Sequence, residues 1–348
     1  MALHNRIDKR ILKEKIANTR EERVTISFYR YYNIAEPAIF RDELYRLFDS
    51  LGVMGRIYIA HEGINAQISA PKQKLEFFRE KLYSIPFLTG VRLNVAVDDN
   101  GKSFFKLKIL VRKKIVADGL DDSTFDVTNS GRHVNAAEFN ALADHPDTII
   151  VDMRNHYESE VGHFKGAILP DVDTFREELQ VVENLIENQK DKNLLMYCTG
   201  GIRCEKASAW MKHRGFKNVF QLDGGIIEYA RQVKEQGLEN KFIGKNFVFD
   251  ERLGERISDD IISVCHQCGK PCDTHTNCKN DGCHLLFIQC SECAAGFNGC
   301  CSAACKEIIA LPASVQKEIR SGINKGRQVF KKGRSEKILF KPPSMVNR

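Results

Sequence analysis

Cys198 stands between an apolar run, Leu194-Leu195-Met196-Tyr197, and a glycine pair, Gly200-Gly201, with Arg203 close behind. The run reads as a buried strand, and a helix begins near Arg203. A thiol so placed lies at the C-terminal end of a parallel strand, where open α/β sheets build their sites. Thr199, Gly200, Gly201 and Ile202 make the connecting loop. Its glycines let backbone N–H groups converge on the sulfur, while the helix N-terminus and Arg203 favour negative charge there. Together these lower a thiol pKa, so the pattern predicts a thiolate nucleophile at neutral pH, with Cys198 and Arg203 as the catalytic residues. For any single cysteine the alternative is an inert buried thiol.

A second chemistry is concentrated further on, where ten of the twelve cysteines lie between Cys265 and Cys305. Cys265-x2-Cys268 and Cys290-x2-Cys293 are short-spaced pairs of the kind that grip zinc, and the loop between them has the length of a zinc ribbon or knuckle. Cys278, Cys283, Cys301 and Cys305 are candidates for a second site, with Cys272, Cys300, His266, His275 and His284 as possible substitutes. A set of reduced thiols without metal is the alternative. A structural metal would supply folding energy to a segment too small to build its own core.

Around these residues the chain divides by pattern. Residues 1–23 look like a charged helical extension. Over 24–118 the order is Val24–Tyr32 strand, Ala38–Leu51 helix, Arg56–Ser69 as two strands broken at His61-Glu62-Gly63, Lys72–Leu82 helix, then strands at Arg92–Val97 and Phe104–Val111. This predicts an α+β, ferredoxin-like (acylphosphatase-like) sandwich with helices on one sheet face and the other face open. Period-two alternation puts Phe105, Leu107, Ile109 and Val111 toward the helices. On the open face it puts Tyr29, Tyr31, Asn65, Gln67, Lys106, Lys108 and Arg112. Aromatic and basic side chains on an open sheet can stack bases and hold phosphates, so Tyr29, Tyr31, Lys106, Lys108 and Arg112 are candidate RNA-binding residues. An ordinary solvated face is the alternative.

Residues 119–143 read as a linker leading into the next domain. From 144 to 240, short buried-type strands at Thr148–Met153, Leu194–Tyr197 and Val219–Leu222 alternate with helical patterns at Phe175–Lys190 and Cys204–Arg214. That is an α/β domain with a parallel sheet. The cysteine-rich segment occupies 241–310 and a basic tail 311–348. Net charge is +6, but residues 306–348 hold 11 Lys/Arg against 3 Glu, so +8 sits there and about −2 on the remainder. A solvated tail or a polyanion-binding one fits equally. With 43% hydrophobic and 28% charged residues, no run of the roughly 18 apolar residues a membrane span needs, and a charged N-terminus, the chain is expected in the cytosol, with no membrane partner.

The loop Cys198-Thr199-Gly200-Gly201-Ile202-Arg203 resembles the active loop of rhodanese domains. Val151-Asp152-Met153-Arg154, Glu158 and Gly162-His163-Phe164-Lys165-Gly166-Ala167-Ile168 resemble the upstream rhodanese signature, and Phe220-Gln221-Leu222-Asp223-Gly224-Gly225-Ile226 the terminal one. Related phosphatases of this fold place five residues between Cys and Arg; here there are four, a cradle sized for sulfur or a small group. His61-Glu62-Gly63-Ile64-Asn65-Ala66, Phe104-Phe105-Lys106-Leu107-Lys108, the loop extended through Cys204-Glu205-Lys206-Ala207, and the cysteine-rich segment together resemble the rhodanese-containing tRNA uridine hydroxylases.

That resemblance implies oxygen-dependent conversion of the wobble uridine, position 34, to 5-hydroxyuridine, with Cys198 essential, tRNA as partner and molecular oxygen as co-substrate. No motif identifies a redox cofactor, and no protein partner is expected. A thiolate adding to C6 of uracil would make C5 a nucleophile toward an oxidant. The competing chemistry is sulfur transfer through a Cys198 persulfide. Asp152 and Arg154 are expected to form a buried pair fixing the strand–loop junction. His61 or Glu62 either assists proton transfer or is structural.

Overall fold

The computed structural model describes residues 9–120 and 124–321, together with Leu3, Ile7 and Ser335. After a helix, α1 (Lys9–Asn18), the alternating strands β1 (Arg23–Tyr31), β2 (Met54–Ala60) and β3 (Gly63–Pro71) form an antiparallel sheet. The short β4 (Asn94–Val95) pairs with the far side of β1, and β5 (Leu107–Val111) runs parallel to β2, giving the order β4-β1-β3-β2-β5. One face is covered by α2 (Pro37–Ser50), which opens on a proline whose missing N–H costs nothing there, and by α3 (Leu75–Tyr83). Phe48 of α2 and Phe78 of α3 meet edge to face and are fully buried, each contributing about 2–3 kcal/mol by removal from water. This is the expected ferredoxin-like sandwich with one added strand. In β5 only Leu107 and Ile109 reach the core; Val111 is exposed and Phe105 precedes the strand.

The α/β domain begins earlier than its sequence pattern suggests. Residues expected to be linker form β6 (Arg132–Val134) and α4 (Ala136–Ala143), the latter started by an Asn135/Glu138 capping box. A strand of three residues carries too little periodicity to be read alone. Next come β7 (Thr148–Asp152), α5 (His156–Ser159), β8 (Gly162–Phe164), α6 (Phe175–Ile186), β9 (Asn193–Tyr197), α7 (Ile202–His213), β10 (Asn218–Leu222) and α8 (Gly225–Gln236). The sheet β6-β10-β9-β7 is parallel throughout. Alternation along β9 sends Leu195 and Tyr197 into the core under α4 and α8, and Leu194, Met196 and Cys198 toward α6 and α7.

The remaining chain is built onto this domain. β11 (Phe242–Asn246) pairs with β8 and with β12 (Glu255–Arg256). The cysteine-rich part contributes the hairpin β13 (His275–Asn277) and β14 (Leu286–Ile288), then α9 (Ser291–Gly296) and α10 (Ala303–Ala310). The basic tail opens with α11 (Ala313–Ser321); beyond that helix all of the tail except Ser335 lies outside the described residues.

The sheet face expected to be open is closed. The α/β domain packs against it, and Tyr31 donates its hydroxyl to the Ile202 carbonyl at 3.3 Å while Asn94 Nδ2 donates to Gly200 O at 3.3 Å. A buried ion cluster locks the arrangement. Lys206 Nζ on α7 donates to both Glu62 oxygens at 2.8 and 2.9 Å, and also to Asp118 and the Val116 carbonyl. Glu62 also accepts the Ile115 N–H, so it is structural; His61 is likewise held, on the Ile34 carbonyl.

Candidate active site

The strand–loop–helix turn between β9 and α7 curls around Cys198, which is 1% exposed. Gly201 N–H points at Sγ from 3.2 Å, and Gly201 takes φ +98°, a conformation that favours glycine. The loop is seated from beneath by α8. Ile226 N–H donates to Cys198 O at 3.0 Å and Ile227 N–H to Thr199 O at 3.3 Å. The approach is so close that a Cβ on Gly225, at φ +67°, would stand 2.6 Å from both carbonyl oxygens. The downstream signature thus acts by letting α8 press on the loop.

Burial by itself would raise the Cys198 thiol. A hydrogen bond from the Cys204 thiol, the Arg203 charge, and the N–H groups of Cys204 and Arg203 outweigh it and bring the pKa to about 6. A thiol held below its ordinary value favours the thiolate at neutral pH. Arg203 is not a free cation, however. Its two Nη atoms clasp the fully buried Glu158 at 2.7 and 2.8 Å, and Nη2 lies 3.3 Å from Thr199 Oγ1. Nearby, burial pushes Glu178 on α6 well above the usual carboxylate range, and neither of its oxygens has a hydrogen-bond partner among the described residues. A neutral acid there adds no second negative charge beneath the thiolate. Asp152 and Arg154 form the expected buried pair, joined at 2.8 and 2.6 Å and braced by the Tyr197 hydroxyl at 2.8 Å from Asp152.

Over the sulfur lies a cavity of about 480 Å³. Its floor is Cys198, Thr199, Gly200 and Arg203; its roof is the polar face of the first sheet, with Tyr29, Arg56, Asn65, Gln67 and Asn94; Phe249 and Arg252 close one side. Tyr29 and Tyr31 are thus not on a free surface. Tyr29 lines the cavity, its hydroxyl 2.9 Å from where a Gly201 Cβ would stand, and Tyr31 is bound into the interface. A sheet's helix-free face reads as open until the domain that covers it is known. Lys108 and Arg112 do remain at the surface and Lys106 is partly exposed; Arg112 lies over the Tyr58 ring. Burial, then the charges of Arg56, Lys106 and Arg112, lower the Lys108 pKa, and none of these four cations has an ion-pair partner among the described residues. Arg56, Phe249 and Asp250 line both the Cys198 cavity and a second one, of about 420 Å³, that Lys106 and Lys108 border.

The cysteine-rich segment draws its thiols into two groups. Cys265, Cys268, Cys290 and Cys293 have sulfurs within 4.8 Å of one another, and so do Cys278, Cys283, Cys301 and Cys305. Backbone N–H groups face the sulfurs, Cys290 N–H on Cys265 at 3.4 Å and Cys301 N–H on Cys278 at 3.5 Å. Four clustered thiols with N–H support suit a soft, four-coordinate ion such as zinc. Cys272 and Cys300 stand outside both groups. His266 is taken by Glu160 at 2.7 Å and by the Ile288 N–H.

Some participants escaped the sequence reading. Glu158 belonged to a signature but had no assigned role, and Cys204 had none; its position in the first turn after the loop was the available signal. Nothing local marks Phe249 or Arg252, which reach the cavity from a distant segment.

The fold and this loop define a rhodanese-domain protein. In chain order, residues 23–115 match the UPF0176 acylphosphatase-like domain, 135–232 the rhodanese-like domain and 243–306 the rhodanase C-terminal model. The chain is 60% identical over 333 residues to the tRNA uridine(34) hydroxylase of an Enterobacter species and 58% identical to that of Escherichia fergusonii, covering 95% of both chains in each pairing. It belongs to the tRNA uridine(34) hydroxylase family. A rhodanese-related protein from Thermoplasma volcanium is similar over 31% of this chain and 99% of its own, at 24% identity and a TM-score of 0.25. No helix among the described residues is long and apolar enough to cross a membrane.

Proposed function

We propose that this protein hydroxylates C5 of the wobble uridine of tRNA, in the cytosol, with molecular oxygen as co-substrate and Cys198 as nucleophile. What carries the reading is a thiolate on the floor of a cavity whose roof bears amide side chains, within a chain that belongs to this family. The cavity volume lies in the range that encloses a small organic ligand. A wobble base sits in a single-stranded loop, so little pairing energy opposes its entry. The amides of Asn65, Gln67 and Asn94 offer both donors and acceptors to the edge of uracil. Lys106, Lys108 and Arg112, with Arg56, hold the flanking phosphates; Tyr29 contacts the base, and Tyr31 orients the loop.

The Cys198 thiolate adds to C6 of uracil, the electron pair moves to C5, and C5 attacks oxygen. Arg203, fixed by Glu158, and the Gly201 N–H hold the sulfur in its reactive state before addition and after release. Zinc in the two cysteine groups has a structural part, holding the segment that brings Phe249 and Arg252 to the cavity.

Nucleoside analysis of tRNA from cells lacking this protein tests the reading. 5-Hydroxyuridine and nucleosides made from it should be missing, and return with the wild-type chain but not with Cys198→Ser. Mass spectrometry of the protein trapped with tRNA separates the chemistries: an RNA adduct on Cys198 supports addition, whereas sulfane sulfur alone would mean sulfur transfer.

A further inference from the structure

Cys204 is the second thiol at the loop. It lies in the first turn of α7, directly after the loop that curls around Cys198, and is fully buried in the same packed core as that residue, where its thiol and N–H both help to lower the Cys198 pKa. Unlike Cys198, it does not line the cavity. We propose that Cys204 completes the reaction as a resolving thiol: Cys198 and Cys204 together give up two electrons per uridine, and each turnover leaves them joined by a disulfide. This rests on the hydroxylase reading.

The balance requires such a donor. Dioxygen gives one atom to C5, and the other must leave as water, which takes two electrons and two protons. Uridine, dioxygen and two thiols give 5-hydroxyuridine, water and one disulfide. The C5 carbanion of the Cys198 adduct bonds dioxygen and the outer oxygen takes a proton. Loss of the C5 proton then expels the Cys198 thiolate and leaves a C5 hydroperoxide. The freed thiolate attacks the distal oxygen; the O–O bond breaks, the ring keeps its oxygen as an oxyanion that takes a proton, and Cys198 becomes a sulfenic acid. The Cys204 sulfur attacks Cys198 Sγ, the S–S bond forms, the S–O bond breaks, and hydroxide leaves with the Cys204 proton as water. A dithiol reductant from solution resets the pair. The protonation split fits these roles: burial first, then its hydrogen bond to and the charge of the neighbouring sulfur, hold Cys204 as a thiol beside a thiolate. A resolving thiol stays protonated until the sulfur beside it becomes an electrophile.

The test uses the full chain, reduced and freed of reductant, with unmodified tRNA in air, quenched with acid and a thiol-blocking reagent. One Cys198–Cys204 disulfide should appear for each 5-hydroxyuridine formed, turnover should stop after one round, and added dithiothreitol should restart it; under nitrogen neither product should form. Cys204→Ser keeps a hydrogen-bond donor to the thiolate but removes the electrons. It should leave Cys198 alkylation at neutral pH intact, form no disulfide, and accumulate a sulfenic acid on Cys198 that dimedone traps. Wild-type protein making 5-hydroxyuridine without the disulfide, or Cys204→Ser turning over at the wild-type rate, would overturn this proposal and leave the hydroxylase reading standing. No product from wild type under any reductant would overturn both.

Discussion

At the scale of the residue, the site is a balance of charges around one sulfur. A thiol reacts as its thiolate, and that fraction rises as pH climbs through the pKa. With Cys198 at about 6, iodoacetamide labelling should climb between pH 5 and pH 7 and then level off, where an unperturbed thiol would still be climbing. Mass-spectrometric labelling rates across pH check this. Glu158 opposes the thiolate electrostatically yet fixes the Arg203 fork. Glu158→Gln should therefore shift the labelling inflection to lower pH while hydroxylation falls about tenfold or more, because the arginine loses its geometry. Loss of Cys198 labelling at every pH together with loss of hydroxylation would mean that Glu158 serves only the fold. The Cys198 thiolate was legible from neighbouring residues because its causes are local: a strand end, two glycines and a helix start. Glu158 was not, since its contact with Arg203 spans 45 residues of chain.

At the scale of the element, the loop depends on α8 pressing from below. Gly225→Ala sets a Cβ against two carbonyl oxygens at a positive φ, so it should abolish Cys198 labelling at pH 7 while circular dichroism changes little. Lys206 holds Glu62 from the first domain and Asp118 from the connection. Lys206→Met leaves the buried Asp118 to Lys114 and the Leu120 N–H, and the partly exposed Glu62 to the Ile115 N–H, so it should cost about 3 kcal/mol in urea unfolding, the low end for removing one partner of a buried pair. Strands and helices with strong periods, such as β1, α2 and β9, were readable in the sequence. β6 and α4 were not, because a three-residue strand and an eight-residue helix gain their stability from the sheet they join.

At the scale of the whole molecule, the cavity is a product of three segments. Removing metal from the two cysteine groups with a chelator should release Phe249 and Arg252 from the cavity edge. Protease sensitivity should then rise beyond residue 245, while Cys198, held by α7 and α8, should still label at pH 7. In the proposed function the cations without an ion-pair partner among the described residues hold the tRNA phosphates. Lys108→Ala should weaken tRNA binding and lower the slope of log affinity against log salt by about 1, measured by filter binding over a salt series.

The sequence by itself determined the cysteine loop between a strand end and a helix start, the two sheet classes, the thiols that gather in fours and the family, because each depends on residues near one another in the chain or on an ordered set of motifs. Only the tertiary structure decided what covers the first sheet. Side chains that alternation assigned to an open RNA-binding face became the roof over Cys198, since a period of two says which residues share a face and nothing about what packs upon it.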